Sequence, residues 1–240
     1  MSAPPVTALR VSEVFGPTVQ GEGPSTGRLA HFIRLGGCNL DCRWCDTPYT
    51  WDWTGKNGVA YSPRHELRWA SLAELCDAVA GARLVVITGG EPLLQQERIA
   101  ALLEELDGFT EVEIETNGTI APAIDSTPVL RFNVSPKLAN SGVKLSKRRV
   151  PAALEAFAEL AWRGRAAFKF VACDPGDLDE VEHLARMAGI PPHAIWVMPE
   201  GTTRAAVEAR QAELAQAVID RGWNISGRLH VQLWGNRRGV

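Results

Sequence analysis

The chain has 240 residues, and its 25 Lys and Arg against 28 Asp and Glu give a formal charge of −3. Hydrophobic residues make up 45% and charged residues 22%, which is ordinary for a soluble globular protein, excludes a disordered chain and predicts a sizeable core. The near-neutral charge argues against a nucleic-acid partner, and no apolar stretch approaches the roughly 18–20 residues of a membrane span. The N-terminus lacks a secretion signal, so a cytoplasmic location is expected.

Short runs rich in Val, Ile and Phe alternate with longer helical patterns along the chain. Consecutive strand–helix units need crossover connections, so the alternation predicts a mostly parallel sheet in a single α/β domain spanning residues 1–240. Seven strands suggest a shortened, incomplete (βα) barrel, with an open doubly wound sheet as the alternative. The predicted strands cover residues 29–35, 84–88, 112–115, 130–134, 167–172, 194–198 and 229–233.

Five helices are predicted between these strands from apolar residues at helical spacing. Ser71 and Glu74 read as a capping box, and Pro151 suits a first helical turn. The segment 46–70 has no such spacing, and it is expected to be an inserted loop that packs over a site or at a subunit contact. It carries five aromatic residues: Tyr49, Trp51, Trp53, Tyr61 and Trp69.

Three of the five cysteines, Cys38, Cys42 and Cys45, fall within eight residues in a C-x₃-C-x₂-C spacing. In a reducing cytosol such a group more often binds metal or does redox chemistry than forms disulfides, and thiolates favour zinc or iron–sulfur clusters. A closed zinc site needs four ligands, and no fourth Cys or His completes one nearby. Three cysteines on a four-iron cubane would leave one iron open to a small molecule. Zinc and a metal-free thiol role remain as alternatives.

A cluster of Gly, Pro or polar residues follows each predicted strand. In a parallel barrel these positions share the face at the carboxyl ends of the strands, where active sites are built, so one shared site is predicted. The clusters begin at Gly36, Thr88, Glu115, Ser135, Cys173, Pro199 and Gln232.

The three-cysteine loop resembles that of the radical S-adenosylmethionine (SAM) superfamily, whose members hold a 4Fe-4S cluster there. Trp44, just before the last cysteine, resembles the family's apolar residue near the adenine, and Gly89-Gly90-Glu91-Pro92 resembles its GGEP motif. Glycine suits that motif because it lets the backbone approach a ligand closely. The resemblance implies SAM contacts from Trp44, Gly90, Glu115, Asn117, Ser135, Pro136 and Lys137 and, in a looser segment, from Met198 and Glu200.

The opening segment 14–23 is similar to that of the 7-carboxy-7-deazaguanine synthase family, as are Gly27-Arg28, residues 31–34, Cys45-Asp46-Thr47 and the ending 229–240. The resemblance implies a radical SAM lyase of queuosine-type biosynthesis. Its substrate would be 6-carboxy-5,6,7,8-tetrahydropterin and its product 7-carboxy-7-deazaguanine, formed with ring contraction and release of ammonia. Mg²⁺ on Thr47 is implied, as are substrate contacts from Val19, Gln20, Gly21, Glu22, Arg34, Thr88 and Val240.

The resemblance assigns the chemistry to the cluster and SAM, with no catalytic side chain. It also implies an electron donor such as flavodoxin or ferredoxin, and a homodimer. Two alternatives differ in substrate or in class. A glycyl-radical activase would act on a protein backbone and needs no pterin-binding opening segment, and a zinc-binding module would have no activity.

Overall fold

The computed structural model of the chain describes residues 6–124 and 130–240. Within these residues nine strands form one sheet. They are β1 (Ala8–Val19), β2 (Leu29–Leu35), β3 (Arg68–Ser71), β4 (Leu84–Gly89), β5 (Glu111–Thr116), β6 (Leu130–Val134), β7 (Ala166–Ala172), β8 (Ile195–Pro199) and β9 (Asn224–Ile225).

The sheet is open, with the order β3-β1-β2-β4-β5-β6-β7-β8-β9. From β2 onward, each neighbouring pair toward β9 is parallel. The strand β1 is antiparallel to both β2 and β3. An α/β fold with mostly parallel strands that do not close is therefore confirmed.

Helices connect most of the parallel strands, as the sequence predicts, although the described residues between β5 and β6 hold none. They are α1 (Pro63–Glu66), α2 (Leu72–Ala78), α3 (Gln96–Glu105), α4 (Leu145–Arg148), α5 (Pro151–Trp162), α6 (Asp177–Ala188), α7 (Arg204–Asp220) and α8 (Leu229–Trp234). Ser71 caps α2 by accepting a hydrogen bond from the Glu74 backbone N–H at 3.2 Å. None of the helices in the described part of the chain is long and apolar enough to cross a membrane.

The two faces of the sheet bury different residues. Ile33 and Ile87 belong to the main core, which packs the sheet against the helices, and both are fully buried. Phe32 and Val86 point to the opposite face and pack with Phe15. Because neighbouring residues of a strand alternate between faces, these inner strands are apolar on both sides, which is typical of parallel strands.

Several sequence predictions are wrong in detail. Residues 229–233, predicted as a strand, form α8. A short apolar run does not distinguish a strand from a helix. Leu233 is 55% exposed, so the run is not buried as a central strand would be. The segment 46–70 holds α1 and the start of β3 and is not wholly a loop. The strand β1 was missed because its register shifts between Val11 and Glu13 and between Phe15 and Thr18, which hides its alternation.

Candidate functional site

A cavity opens at the carboxyl ends of the parallel strands. Five of the seven predicted strand-end clusters contribute to its lining, whereas those that begin at Cys173 and Gln232 do not. The cavity encloses about 1300 Å³ of space free of protein atoms, including its open mouth, which is room for more than one small molecule. Pro136 is buried and does not line this cavity. Every other predicted site residue lines the cavity: Val19, Gln20, Gly21, Glu22, Arg34, Cys38, Cys42, Trp44, Cys45, Thr47, Thr88, Gly90, Glu115, Asn117, Ser135, Lys137, Met198, Glu200 and Val240.

The thiols of Cys38, Cys42 and Cys45 are free and at least partly buried on one wall of this cavity. Burial raises the pKa of all three thiols, that of Cys38 to about 12. The thiols are therefore protonated on their own at neutral pH, and a metal would have to displace the protons when it binds.

Donors and backbone contacts around the cysteines hold the loop in shape. The Trp51 indole N–H donates to Cys45 Sγ at 3.3 Å, and the Leu40 N–H donates to Cys38 Sγ at 3.4 Å. The Asn57 side-chain amide donates to the Cys42 carbonyl at 3.1 Å. Hydrogen bonds to ligating sulfurs are one way in which proteins set the reduction potential of an iron–sulfur cluster.

The arrangement of these thiols fits a cluster better than a single ion. Among residues 6–124 and 130–240, no three His, Cys, Asp or Glu side chains converge on one point as a single metal ion requires. In a cubane each cysteine binds a different iron, so its thiolates need not converge. The three-cysteine donor set suits a 4Fe-4S cluster with one open iron and lacks the fourth ligand of a closed zinc site.

The GGEP segment is pressed against the cysteine loop. A Cβ placed on Gly90 would lie 2.1 Å from the Gly37 carbonyl oxygen and 2.9 Å from the Cys38 Cβ, so only glycine fits. The Glu91 N–H donates to that same Gly37 carbonyl at 2.8 Å. The two loops thus form one wall.

Glu91 anchors this wall from inside. Its fully buried carboxylate accepts hydrogen bonds from the Asn117 N–H at 2.7 Å, the Thr116 hydroxyl at 2.7 Å and the Leu93 N–H at 2.9 Å. These bonds make Glu91 a structural part of the site.

The predicted SAM contacts flank the cysteine loop. Lys137 Nζ donates to Ser135 Oγ at 2.9 Å and lies 5.6 Å from the centre of the Trp44 ring, a cation–π distance. The Asn117 amide donates to the Asn39 side-chain oxygen at 2.8 Å. Glu200, which also lines the cavity, forms an ion pair with Arg210, with 2.5 Å between Glu200 Oε2 and Arg210 NH1.

A charged cluster, defined here as Glu22, Asp46, Glu115, Lys169 and Arg228, forms another part of the cavity lining. Its members are largely buried except Asp46, whose side chain is 41% exposed. Lys169 Nζ lies 2.5 Å from Glu22 Oε2 and 3.8 Å from Glu115 Oε1. Arg228 Nε lies 3.0 Å from Glu22 Oε1, and the same guanidinium pairs with Asp46. Two cations thus hold three carboxylates in place.

These pairings set the charge of the cluster. Burial alone would raise the pKa of Glu22, but Lys169, Arg228 and His230 outweigh burial and hold that pKa well below its usual range. Burial would lower the pKa of Lys169, yet Glu22 and Glu115 raise it. Burial lowers the pKa of His230. At neutral pH the site therefore presents a Glu22 carboxylate, a Lys169 ammonium and a neutral His230 imidazole.

Gln20 and Glu115 are already engaged with neighbours. The Gln20 amide donates to Glu113 and to Glu115, each at 3.1 Å, and the Thr88 hydroxyl donates to Glu115 at 2.7 Å. The donors of the Gln20 side chain are thereby used inside the protein. Glu115, which the resemblance assigns to SAM, is thus hydrogen-bonded to Gln20 and Thr88, two residues that the resemblance assigns to the substrate.

Arg34 leaves part of its guanidinium free for a ligand. Its Nε donates to Glu13 Oε2 at 3.0 Å, and its guanidinium carbon lies 5.6 Å from the centre of the Phe15 ring. Within the described residues, its two terminal nitrogens have no hydrogen-bond partner. A planar fork of this kind suits a carboxylate.

Four ionisable residues of the cavity lining were not identified from the sequence: Asp46, Lys169, Arg228 and His230. One signal was present, because Lys169 is a lone charge inside the apolar run of β7, and a lysine is almost never buried without a partner. His230 was missed because it lies in the segment 229–233 that was predicted to be a strand, and Arg228 directly precedes that segment.

The sequence profile of the radical SAM superfamily matches residues 32–199. The 7-carboxy-7-deazaguanine synthase of Pyrobaculum aerophilum is 36% identical over 100% of both chains, and that of Halobacterium salinarum is 33% identical over 95% of this chain and 91% of its own. The crystal structure of QueE from Escherichia coli aligns with a TM-score of 0.66 at 29% identity, covering 91% of this chain and 93% of that one. The chain therefore belongs to the radical SAM superfamily and, within it, to the family of 7-carboxy-7-deazaguanine synthases.

Proposed function

We propose that this chain is a radical SAM lyase that converts 6-carboxy-5,6,7,8-tetrahydropterin into 7-carboxy-7-deazaguanine with loss of ammonia. The observation that carries the proposal is the shared cavity: the cysteine and GGEP loops form one part, and Arg34 with the charged cluster forms another. The first part suits a cluster and SAM, and the second suits a polar, carboxylate-bearing heterocycle.

Cys38, Cys42 and Cys45 would hold the cluster, and the residues around Trp44, Ser135 and Lys137 would hold SAM against it. Bound there, the cluster and SAM supply the one-electron chemistry that starts the reaction. The chain itself binds, orients and shields: Gly90 admits the ligand to the backbone, and the Lys137 ammonium offers a cation beside the Trp44 ring.

The pterin would lie against the charged cluster. Its carboxylate pairs with the free fork of Arg34, and its N–H groups donate to the ionised Glu22. Because both amide hydrogens of Gln20 are donated to Glu113 and Glu115, a contact from Gln20 to the pterin would use an oxygen as acceptor, with Val19 and Gly21 lining the cavity on either side. The Thr88 hydroxyl, which donates to Glu115, keeps its oxygen free to accept a hydrogen bond, and Val240 closes the lining.

Anaerobic reconstitution with iron and sulfide, followed by SAM, dithionite, Mg²⁺ and the pterin, tests the proposal. The expected products are 7-carboxy-7-deazaguanine and ammonia. A glycyl-radical activase would cleave SAM but leave the pterin unchanged, and a zinc module would do neither.

Thr47 is the proposed Mg²⁺ ligand, because its hydroxyl is a hard oxygen that lines the cavity 3.8 Å from Cys45 Sγ. In Thr47→Ala, turnover is expected to fall, and the Mg²⁺ concentration for half-maximal activity to rise at least about tenfold, since even an outer partner of a metal site is worth that much. Iron content should stay near that of the wild type. The matched control is Thr47→Ser, which keeps the hydroxyl. Parallel loss of iron and activity would remove the Mg²⁺ assignment.

Replacing Arg34 by lysine keeps the charge and removes the fork. The KM for the pterin is expected to rise roughly tenfold or more, because a hydrogen bond to a charged group is worth about 1.5–3 kcal/mol. Steady-state kinetics with saturating SAM measures this. An unchanged KM would show that Arg34 does not bind the substrate carboxylate.

An external one-electron donor such as flavodoxin or ferredoxin is part of the proposal. It is supported by the basic segment that begins at Lys144: this lysine and Lys147 are exposed, and the adjoining Val143 packs on Leu40 and Cys42 of the cysteine loop. A cationic surface next to the cluster loop suits an acidic donor.

A homodimer is also proposed, supported by exposed apolar residues of the segment 46–70: Val59 is 54% exposed and Trp69 is 48% exposed. The expectations of a cytoplasmic location and of no nucleic-acid partner stay predictions.

A further inference from the structure

The residues after α8 fold back onto the start of the chain, and a single side chain holds them there. Arg238 pairs with Glu13 on β1, and its NH1 lies 2.8 Å from Glu66 Oε2 on α1. Its guanidinium carbon lies 3.8 Å from the centre of the Tyr49 ring, a close cation–π contact. Three separate segments of the chain therefore hold one arginine.

The carboxylate that receives Arg238 also holds Arg34. Glu13 Oε1 pairs with Arg238, while Glu13 Oε2 accepts from Arg34 Nε at 3.0 Å and from the Tyr49 hydroxyl at 3.3 Å. The Glu13 side chain is 13% exposed and that of Arg34 is 16% exposed, so water does little to screen this pair, and the Arg238 side chain, 43% exposed, acts on Arg34 through their shared partner Glu13. The state of Arg238 must therefore affect Arg34.

The segment 235–240, which Arg238 holds against β1, has few other described polar contacts. Gly235 and Gly239 both have positive φ, at 69° and 73°. The polar contacts described for residues 236–240 are all made by Arg238. Yet this segment brings Val240 into the cavity lining. Without Arg238, no other described polar contact would hold residues 236–240, and with them Val240, against the cavity.

We propose that Arg238 is a positioning residue for the substrate side of the cavity: it latches residues 235–240 onto Glu13 and so orients Arg34. The inference rests on the proposed function, because it assumes that Arg34 binds the pterin carboxylate. By occupying one oxygen of Glu13, Arg238 limits that carboxylate to a single bond with Arg34. If Arg238 were absent, Glu13 could take Arg34 with both oxygens and compete with the substrate for the fork.

The test compares Arg238→Ala with the matched control Arg237→Ala, which removes a neighbouring exposed arginine with no described partner. In reconstituted Arg238→Ala enzyme, the KM for the pterin is expected to rise about tenfold, the size of coupling seen for groups that share one ion-pair network. The KM for SAM, the iron content and kcat should change less than twofold. SAM cleaved per product formed should rise, because a loosely held substrate is missed more often. Arg238→Lys should recover part of the loss.

Hydrogen exchange of residues 235–240 gives a second readout that needs no substrate. Exchange should become faster in Arg238→Ala but not in Arg237→Ala. The latch is overturned if exchange and the KM for the pterin match those of Arg237→Ala. A merely structural role, which also overturns it, would lower iron content and SAM cleavage in parallel. Should the wild type fail to convert the pterin, the proposed function fails, and hydrogen exchange still decides whether the latch exists.

Discussion

Replacement of Cys42 by serine is expected to abolish product formation. Cys42 is the most buried of the three cysteines, and it packs with Leu40 and Val143. A serine fits this space, but it removes the thiolate that iron prefers as a ligand. Loss of an outer partner of a metal site already costs roughly 10–100-fold, so loss of a direct ligand should lower turnover by more than about 100-fold. Iron content, visible absorbance and the electron paramagnetic resonance spectrum of the reduced protein show whether the cluster has been lost.

Cys76→Ser is the matched control for this change. Cys76 lies on α2, packs at the margin of the main core and is absent from the cavity lining. It should keep its iron and its activity. If Cys42→Ser retained both cluster and turnover, the three-cysteine assignment would be wrong, and the radical mechanism would lose its basis.

The parts of the site that sequence could predict are those built from local motifs. The cysteine loop and Gly89-Gly90-Glu91-Pro92 are each set by a few consecutive residues, and each follows a strand that sequence also predicted. Parallel strands then bring their carboxyl ends to one edge, so the juxtaposition of the two loops follows from topology. The close fit of Gly90 against Gly37 is the physical result.

The charged cluster could not be predicted in the same way, because its members are far apart in the chain. Glu22 meets Lys169 across 147 positions and Arg228 across 206. Each looks like an ordinary charge in sequence, and only the fold shows that they neutralise one another. The same limit applies to Arg238, whose partner Glu13 lies 225 positions away on a strand that was itself missed.

The two parts of the cavity use different physical chemistry. Near the cysteines, Trp51 and a backbone N–H donate hydrogen bonds to thiol sulfurs. Around Glu22, charges are paired and nearly water-free, so each is strongly coupled to its neighbours. A change near the cysteines should therefore appear first in iron content, and a change near Glu22 first in pterin affinity and pH dependence.

Lys169→Met is expected to show this second kind of defect. Lys169 is 5% exposed and pairs with Glu22 at 2.5 Å, so its loss leaves a buried carboxylate with one cation fewer. Breaking a buried ion pair in this way costs roughly 3–5 kcal/mol, which should lower the melting temperature and raise the KM for the pterin. Lys169→Arg, which keeps the charge, should be milder. Arg204→Ala, which breaks an exposed pair with Glu208, should change neither quantity measurably.

The pH dependence distinguishes loss of this charge from a simple loss of packing. The pKa of Glu22 lies well below its unfolded value of 4.5, so its carboxylate stabilises the folded state above that pH, and this stabilisation is lost as pH falls through the folded pKa. Without Lys169 the burial penalty remains while one counter-charge is gone, so the folded pKa rises. The acid limb of stability and of pterin binding should therefore move to higher pH in Lys169→Met than in the wild type. A uniform loss of stability at every pH would mean that Lys169 fills space and does not hold Glu22 ionised.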